Sequence, residues 1–281
     1  MLAETRPRTF IVLCVVFTLF VLFLYGPIFT IITLSFQGPD GGLVFPMRGV
    51  SVHWFGQLFQ RQSIGDIGGG FQRSIILALI VMVLTVIISF LAGLAFRRRF
   101  FGSTLLFYIV VASLIMPSIV VSLGISAMFE LFSLPRNLFS AGIGTHLTWT
   151  LPFGLLIMFA VFNRFDPSYE EAARDLGASG VDTVRHVVLP IVAPSLIGVS
   201  LFGFTLSYDE LARSSQALGA KNTLPLELLA MQTNATTPVI YALGTVTTGL
   251  SFLIIGTALT TVLVLRRRQA RKGTDAGQGM I

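Results

Sequence analysis

Six long apolar runs limit what this chain can fold into more strongly than any other feature of its sequence. They lie at about residues 10–36, 74–96, 104–132, 142–162, 187–207 and 241–265. Each is close to the roughly 20 residues that a membrane-spanning helix needs, and longer than the strands of about ten residues in a membrane barrel. Only 11% of the residues are charged, which is too few to cover a soluble fold of this size. The sequence therefore predicts an all-α, polytopic membrane protein with about six transmembrane helices.

Basic residues concentrate in alternate connections between these runs, and this bias predicts the orientation of the chain. With the N-terminus in the cytoplasm, thirteen of the nineteen Lys and Arg residues lie inside, as the positive-inside rule requires. These thirteen are Arg6, Arg8, Arg97, Arg98, Arg99, Arg164, Arg174, Arg185, Arg266, Arg267, Arg268, Arg271 and Lys272. We therefore expect both termini on the cytoplasmic side of a bacterial inner (plasma) membrane. The net charge of +6 reflects topology rather than nucleic-acid binding, because the clusters directly abut apolar runs.

The connection at residues 163–186 carries the strongest local pattern in the sequence. Glu170, Glu171, Ala172 and Ala173 are strong helix formers, and they precede a glycine that suits a left-handed helix end. Ser168 is the predicted N-cap, with the glutamate three residues later completing a capping box. These residues alone fit either a structured surface loop or a short helix that docks into a partner's groove.

The spacing around this helix resembles a family signature. Glu171-Ala172-Ala173 is followed by three residues, Gly177, nine residues, Val187, one residue and Leu189-Pro190. This is similar to the EAA motif of ABC importer permeases, with Val187 where the family usually has Ile. In that family the loop forms a coupling helix that sits in a cleft of the ATPase subunit. The resemblance assigns ATPase coupling to Glu170, Glu171, Ala172, Ala173, Asp175, Gly177, Ala178, Leu189 and Pro190.

Further motifs extend the resemblance over residues 71–265. They are His146 with Leu151-Pro152-Phe153, Phe165-Asp166, the segment from Phe204 to Glu210, and Asn222-Thr223-Leu224-Pro225-Leu226. Together they look like the second permease subunit of spermidine/putrescine importers. The resemblance implies a type I ABC importer (MetI-like) permease fold and alternating access. It also implies three kinds of partner, namely two ABC ATPase subunits, a second homologous permease and a periplasmic or extracellular solute-binding protein.

The chain carries no G-x-x-x-x-G-K-[ST] phosphate loop, so ATP and Mg are expected on the partner ATPase rather than on this chain. His53, His146 and His186 lie far apart in the sequence, and no metal-ligand cluster is predicted. We interpret His146 as a helix-start packing or polar residue rather than as a catalytic base. No facing catalytic groups are evident, so the chain is predicted to be a transport subunit and not an enzyme.

The end of the fifth run carries the residues that a substrate could meet. Thr205, Ser207, Tyr208, Asp209 and Glu210 are assigned to the substrate pathway or gate, because adjacent acids there would attract a cation. The tyrosine ring could add a cation–π contact. An equally weighted interpretation is a solvated helix end whose carboxylates are balanced by the nearby Arg213. The third run carries Ser113, Ser118, Ser122 and Ser126, which we interpret as helix-packing residues rather than pore-lining ones.

The predicted organisation has three parts. Residues 1–70 form the first transmembrane helix and an external loop in which the glycines at 68–70 interrupt helix, residues 71–266 form the importer core, and residues 267–281 form a disordered cytoplasmic tail. The predicted function is ATP-driven, binding-protein-dependent import of a small cationic or amino-compound solute such as a polyamine. The alternatives are an ion-gradient-driven secondary transporter, or a permease of the same family for an opine, an amino-acid derivative or iron.

Overall fold

A computed structural model describes residues 8–58, 60, 65–97, 100–234 and 237–278. The described chain is mainly helical, and its β pairing consists of the isolated bridge between Gln37 and Val50. The chain divides into two compact units. One comprises residues 1–66 and 230–250, and the other comprises residues 67–229 and 251–281.

The first unit contains helix α1, Arg8–Ser35, and the short helix α2, His53–Gln57. The loop between them is organised by the buried amide of Gln37, which donates to the Gly42 carbonyl at 3.1 Å and accepts from the Arg48 amide at 2.8 Å.

The second unit begins with α3 at Ile67–Phe96, α4 at Ser103–Ala112 and α5 at Ser118–Leu131. A π-helical turn at Leu138–Gly142 leads into α6 at Ile143–Phe162. The short helices α7, Ser168–Asp175, and α8, Gly180–Thr183, follow, and a second π-helical turn at Val184–Val188 leads into α9 at Leu189–Tyr208. Helix α10 is Ser214–Ala217. Helices α11, Leu224–Asn234, and α12, Val239–Gln278, contribute residues to both units.

Within the described residues, five helical segments are long and apolar enough to cross a membrane. They are Arg8–Ser35, Ile67–Phe96, Leu138–Phe162, Gly180–Tyr208 and Val239–Val264. The remaining predicted span, at residues 104–132, is not a single helix, because it is divided into α4 and α5. Pro117 is the cause, because it has no amide to donate and it disfavours helical dihedrals at Met116. A broken helix at membrane depth requires neighbouring groups to satisfy its free backbone.

The core of the second unit lies where α3, α6 and α9 pack together. Its buried centre comprises Met158, Phe162, Val188, Val192 and Val199. Gly93 allows α3 to approach α6 closely, since a Cβ there would lie 2.8 Å from the Phe162 ring. Small residues at such contacts are typical of helix packing in membranes.

Two predicted boundaries differ from the structure. The glycines at 68–70 lie inside α3 rather than ending the external loop, and a Cβ at Gly70 would lie 2.9 Å from Glu227 Cγ, so the glycine serves close packing. The predicted disordered tail at 267–281 is helical as far as Gln278, because the Arg, Gln, Ala and Lys residues after the last span favour extension of an existing helix. Residues 279–281 lie outside the described residues.

Candidate functional site

Helix α7 has the C-terminal turn that its sequence predicts. Gly177 adopts φ +83°, a left-handed conformation that suits glycine. The Gly177 amide donates to the Arg174 carbonyl at 2.8 Å, and the Ala178 amide donates to the Ala173 carbonyl at 3.0 Å. This pair of bonds is a Schellman motif, which ends the helix sharply and satisfies its last carbonyls.

The predicted N-cap of α7 is wrong. Ser168 is the first residue of the helix, and its amide donates to the Asp166 carboxylate at 3.0 Å. That hydrogen bond lowers the pKa of Asp166, because it favours the ionised carboxylate. Pro167 between them already has helical dihedrals, with φ −63° and ψ −21°. The Asp-Pro-Ser sequence was the signal for this start, since proline is favoured in the first turn after an acidic cap.

Two neighbouring glutamates of α7 have different surroundings. Glu170 forms an ion pair with Arg97 at the end of α3 and a second one with Arg174 at 3.6 Å, and only 13% of its side chain is exposed. The Arg97 guanidinium also lies over the Phe165 ring, 5.0 Å from its centroid. Glu171 is exposed. The first glutamate therefore attaches α7 to α3, while the second is accessible to another molecule.

The accessible face of α7 carries apolar side chains, although α7 lies between the apolar segments Leu138–Phe162 and Gly180–Tyr208 rather than within one of them. Tyr169, Ala172 and Leu176 follow one another at spacings of three and four residues, which places them on one side of the helix. Tyr169 is 54% exposed, Leu176 is 89% exposed, and Val181 in α8 is 77% exposed. We call Tyr169, Ala172, Leu176 and Val181 the apolar stripe. Sequence reasoning missed Tyr169, Leu176 and Val181, although the helical spacing of Tyr169 and Leu176 from Ala172 was visible.

The remaining residues assigned to coupling are distributed as follows. Ala172, Asp175 and Gly177 are exposed, and Ala173 and Ala178 are half-buried. Leu189 and Pro190 lie at the beginning of α9, after α8 and the second π-helical turn, so they are not part of the α7 surface. Proline at this point fits the start of a helix, where its missing amide is tolerated.

A second constellation lies where α9 ends. His146 of α6 is buried, with Nδ1 2.8 Å from the Ser207 hydroxyl and Nε2 3.0 Å from the Ser214 hydroxyl. The Ser214 hydroxyl also donates to the Glu210 carbonyl at 2.6 Å. His146 therefore links α6, α9 and α10 as a buried polar residue near the start of α6.

Arg213 is fully buried beside this link. Its guanidinium lies over the Trp149 ring at 4.5 Å from the centroid, and Nη1 lies 3.5 Å from the Glu210 carboxylate. The Arg213 amide donates to the same carboxylate at 2.9 Å. Burial lowers the pKa of Arg213, and Glu210 opposes that shift. Arg213 thus pairs with one of the two carboxylates that it was interpreted to balance, but the arginine itself is buried rather than solvated.

The serines of the third apolar run hold the Arg213 segment in place. Arg213 Nη1 donates to the Ser118 hydroxyl at 2.8 Å, and the Ser122 hydroxyl donates to the Arg213 carbonyl at 2.6 Å. The Ser126 hydroxyl donates to the Gln216 carbonyl at 2.5 Å. These three serines lie four residues apart on one face of α5, so they pack a neighbouring segment through hydrogen bonds.

The five residues assigned to the substrate pathway do not share one exposed surface. Ser207 and Tyr208 are buried, and the Tyr208 ring stacks on Phe204 with a centroid distance of 5.7 Å. The half-buried Thr205 donates its hydroxyl to the Leu201 carbonyl at 2.8 Å. Asp209 is exposed, whereas Glu210 is engaged with the buried arginine. Partial burial raises the pKa of Asp209, and Glu210 adds to that shift.

The sequence matches an established family. The model of the family described as "Binding-protein-dependent transport system inner membrane component" matches residues 86–269, which is more than half of the chain. Among curated proteins, the spermidine/putrescine transport system permease protein PotC of Haemophilus influenzae is 29% identical over 235 residues, covering 83% of this chain and 89% of that protein. The putrescine transport system permease protein PotI of Escherichia coli strain K12 is 27% identical, covering 81% of this chain and 82% of that protein.

Solved structures show the same fold at low sequence identity. A chain from the crystal structure of a bacterial ABC transporter involved in the import of the acidic polysaccharide alginate superposes with a TM-score of 0.60 at 18% identity, covering 96% of this chain and 98% of that one. A chain from inward-facing conformations of the MetNI methionine ABC transporter superposes with a TM-score of 0.52 at 16% identity, covering 70% of this chain and 96% of that one.

These matches agree with the fold predicted from the EAA spacing, and they favour an importer permease over a secondary transporter. Such permeases work with ATPase and substrate-binding partners and lie in the inner membrane as multi-pass proteins. The chain thus belongs to the binding-protein-dependent transport system inner membrane component family, and it is a permease subunit of an ABC importer.

Proposed function

We propose that this chain forms one half of the membrane channel of a polyamine importer. The support comes from the relatives, because PotC and PotI are named for spermidine/putrescine and putrescine transport. A second, homologous permease supplies the other half, and the solute crosses at the interface by alternating access. Two ATPase subunits bind ATP and Mg, and a solute-binding protein delivers the polyamine.

The apolar stripe carries the proposal of ATPase docking. Exposed apolar side chains on a short helix outside the membrane are costly unless a partner covers them. Glu171 and Asp175 flank the stripe and provide charges for pairing, while the Gly177 turn and the small residues Ala173 and Ala178 permit close approach. Leu189 and Pro190 act at the next step, where α9 receives the motion of α7.

The proposed topology places α7 in the cytoplasm together with both termini. It is supported by the concentration of Lys and Arg in the connections that this orientation puts inside. In the same proposal, α1 and the loop after it form the first transmembrane helix and the external loop, α3 begins the importer core, and residues 267–281 extend into the cytoplasm.

Asp209 is the residue that we propose for attracting a cationic solute. It is the exposed acid of the pair, whereas the charge of Glu210 is used by Arg213. Thr205, Ser207 and Tyr208 support the end of α9 behind Asp209, since their side chains are buried or engaged within the chain.

Uptake of radiolabelled spermidine into proteoliposomes that contain the whole importer tests this proposal. We expect ATP-dependent, saturable uptake, and we expect Asp209→Asn to raise the KM severalfold with little change in kcat. The matched control is Asp40→Asn in the external loop of the first unit, which should leave both constants unchanged. Absence of spermidine uptake by a complex that hydrolyses ATP and imports another solute would contradict the polyamine proposal.

A further inference from the structure

A cavity of about 710 Å³ lies in the second unit where α3 and α6 end and α4 begins. One part of its lining is aromatic and includes Phe96, Phe107 and Phe159. The other part is polar and includes Arg97, Ser103, Thr104 and Asn163. The cavity therefore changes from apolar to polar at the level where membrane helices end, which is where headgroups replace hydrocarbon.

The polar part of the lining is suited to an anion. Helix α4 has ten residues, and its cap Gly102 offers no side-chain oxygen to the first amides of the helix. The Ser103 amide donates to the Phe100 carbonyl at 3.1 Å, whereas the next amides of the first turn have no carbonyl partner within the helix, and the helix dipole makes this start favourable for negative charge. The hydroxyls of Ser103 and Thr104 lie at the same point.

Arg97 adds a fixed positive charge to this cavity. Its guanidinium is held over the rings of Phe162 and Phe165, at 5.4 and 5.0 Å from their centroids. The ion pair with Glu170 uses Nη1, and a guanidinium has five N–H donors, so donors remain for a second anion. Glu170 also pairs with Arg174, so two arginines face one carboxylate. The cluster of Arg97, Arg174 and Glu170 therefore keeps a net positive charge.

We propose that this cavity binds an anionic glycerophospholipid. The phosphate lies at Arg97 and the start of α4, and the glycerol backbone and first part of an acyl chain lie on the phenylalanine rings. An inorganic phosphate would leave the aromatic part of the lining unfilled, and an acidic peptide would expose polar backbone to it. An amphipathic lipid matches both parts, and basic pockets between membrane helices are known sites for anionic headgroups.

The proposed lipid also touches the machinery of coupling. Arg97 lines the cavity and also forms the ion pair with Glu170 of α7. The bound headgroup and the coupling helix would therefore contact the same arginine. A lipid with a net negative charge would therefore stabilise the arrangement in which two arginines surround a single glutamate.

Native mass spectrometry of the whole importer complex, exchanged into detergent with 1-palmitoyl-2-oleoyl phosphatidylglycerol or phosphatidylcholine, tests the site without ATP or solute. We expect phosphatidylglycerol to be retained in preference to phosphatidylcholine. Thr104→Trp, which fills the cavity, should weaken retention about tenfold, and the double variant Ser103→Ala/Thr104→Ala should weaken it severalfold without adding bulk. Leu105→Trp is the matched control, because Leu105 is exposed on the same helix and does not line the cavity.

Equal retention of phosphatidylglycerol and phosphatidylcholine by the wild type would overturn the proposal. An equal loss of phosphatidylglycerol from Thr104→Trp and Leu105→Trp would overturn it as well. Loss of the second permease from the Thr104→Trp complex, with phosphatidylglycerol still retained, would also overturn it, because the cavity would then belong to a subunit interface. Since neither readout requires transport, the lipid site and the polyamine proposal can fail separately.

Discussion

At the scale of single residues, the buried charge of Arg213 dominates the region where α9 ends. A guanidinium that is removed from water is tolerated only with compensating contacts. The carboxylate of Glu210, the hydroxyl of Ser118 and the face of Trp149 supply those contacts. Glu210 therefore acts as an internal counter-ion, which leaves Asp209 as the acid that faces outward.

Replacing Glu210 should destabilise the permease far more than replacing its neighbour. Glu210→Gln leaves Arg213 buried without its counter-ion, which costs about 3–5 kcal/mol for a broken buried pair. We expect a lower melting temperature of the detergent-solubilised importer, measured by differential scanning fluorimetry. Asp209→Asn is the control and should change stability by less than about 0.5 kcal/mol, because its side chain is exposed.

A double variant separates the loss of charge balance from the loss of packing. Glu210→Gln/Arg213→Met removes both charges and keeps an elongated side chain against Trp149, so it should recover most of the lost stability. Equal stability of Glu210→Gln and Asp209→Asn would show that the two acids are equivalent, contrary to the geometry.

At the scale of elements, α7 is a short helix whose two ends are both specified locally. Its end at Gly177 was predictable because a left-handed turn after strong helix formers has a known sequence signal. Its start was mispredicted, since serine and aspartate are both good caps and the sequence offered Asp166 and Ser168 two residues apart. The partner of Glu170 could not be predicted, because Arg97 is distant in the sequence and meets it only through the packing of α3.

Removing the cap at Asp166 should loosen α7 without unfolding the membrane core. In Asp166→Ala the Ser168 amide loses its acceptor and the start of α7 frays, so we expect roughly fivefold faster hydrogen exchange over residues 168–175. The pKa of Asp166 is lowered, so the carboxylate is ionised and the cap is present above the usual aspartate range, and the cap is lost only as the pH falls through that lowered pKa.

The difference in exchange between Asp166→Ala and the wild type should therefore stay constant from about pH 5 to pH 8 once the intrinsic exchange rate is corrected for. Asp182→Ala, which changes an acid in α8, is the control for residues 168–175. If Asp166→Ala keeps the wild-type protection from hydrogen exchange over residues 168–175, then a group other than Asp166 caps the helix.

At the scale of the whole molecule, hydropathy predicted more of the helical architecture than local motifs did. Within the part of the chain that the structure describes, the apolar runs identified the five helices long enough to cross a membrane, because each run is close to the roughly 20 residues that a spanning helix needs. The division of the third run into α4 and α5 was only partly predictable, since a proline within an apolar run either kinks or ends a helix according to its tertiary neighbours. Ser118, Ser122 and Ser126 were interpreted as helix-packing residues, but their partner, the segment at 213–216, is distant in the sequence and could not be predicted.

The central claim is that an ATPase powers this permease through the apolar stripe on α7. Co-purification of the ATPase with an affinity-tagged permease, quantified per mole of permease, tests that claim most directly. We expect Leu176→Asp to lower ATPase recovery at least tenfold, because it introduces a charge into the centre of the docking surface. Val44→Asp, which changes an exposed apolar residue in the loop after α1 and outside the membrane-spanning segments, should recover the ATPase as the wild type does. Full ATPase recovery with Leu176→Asp would contradict the account.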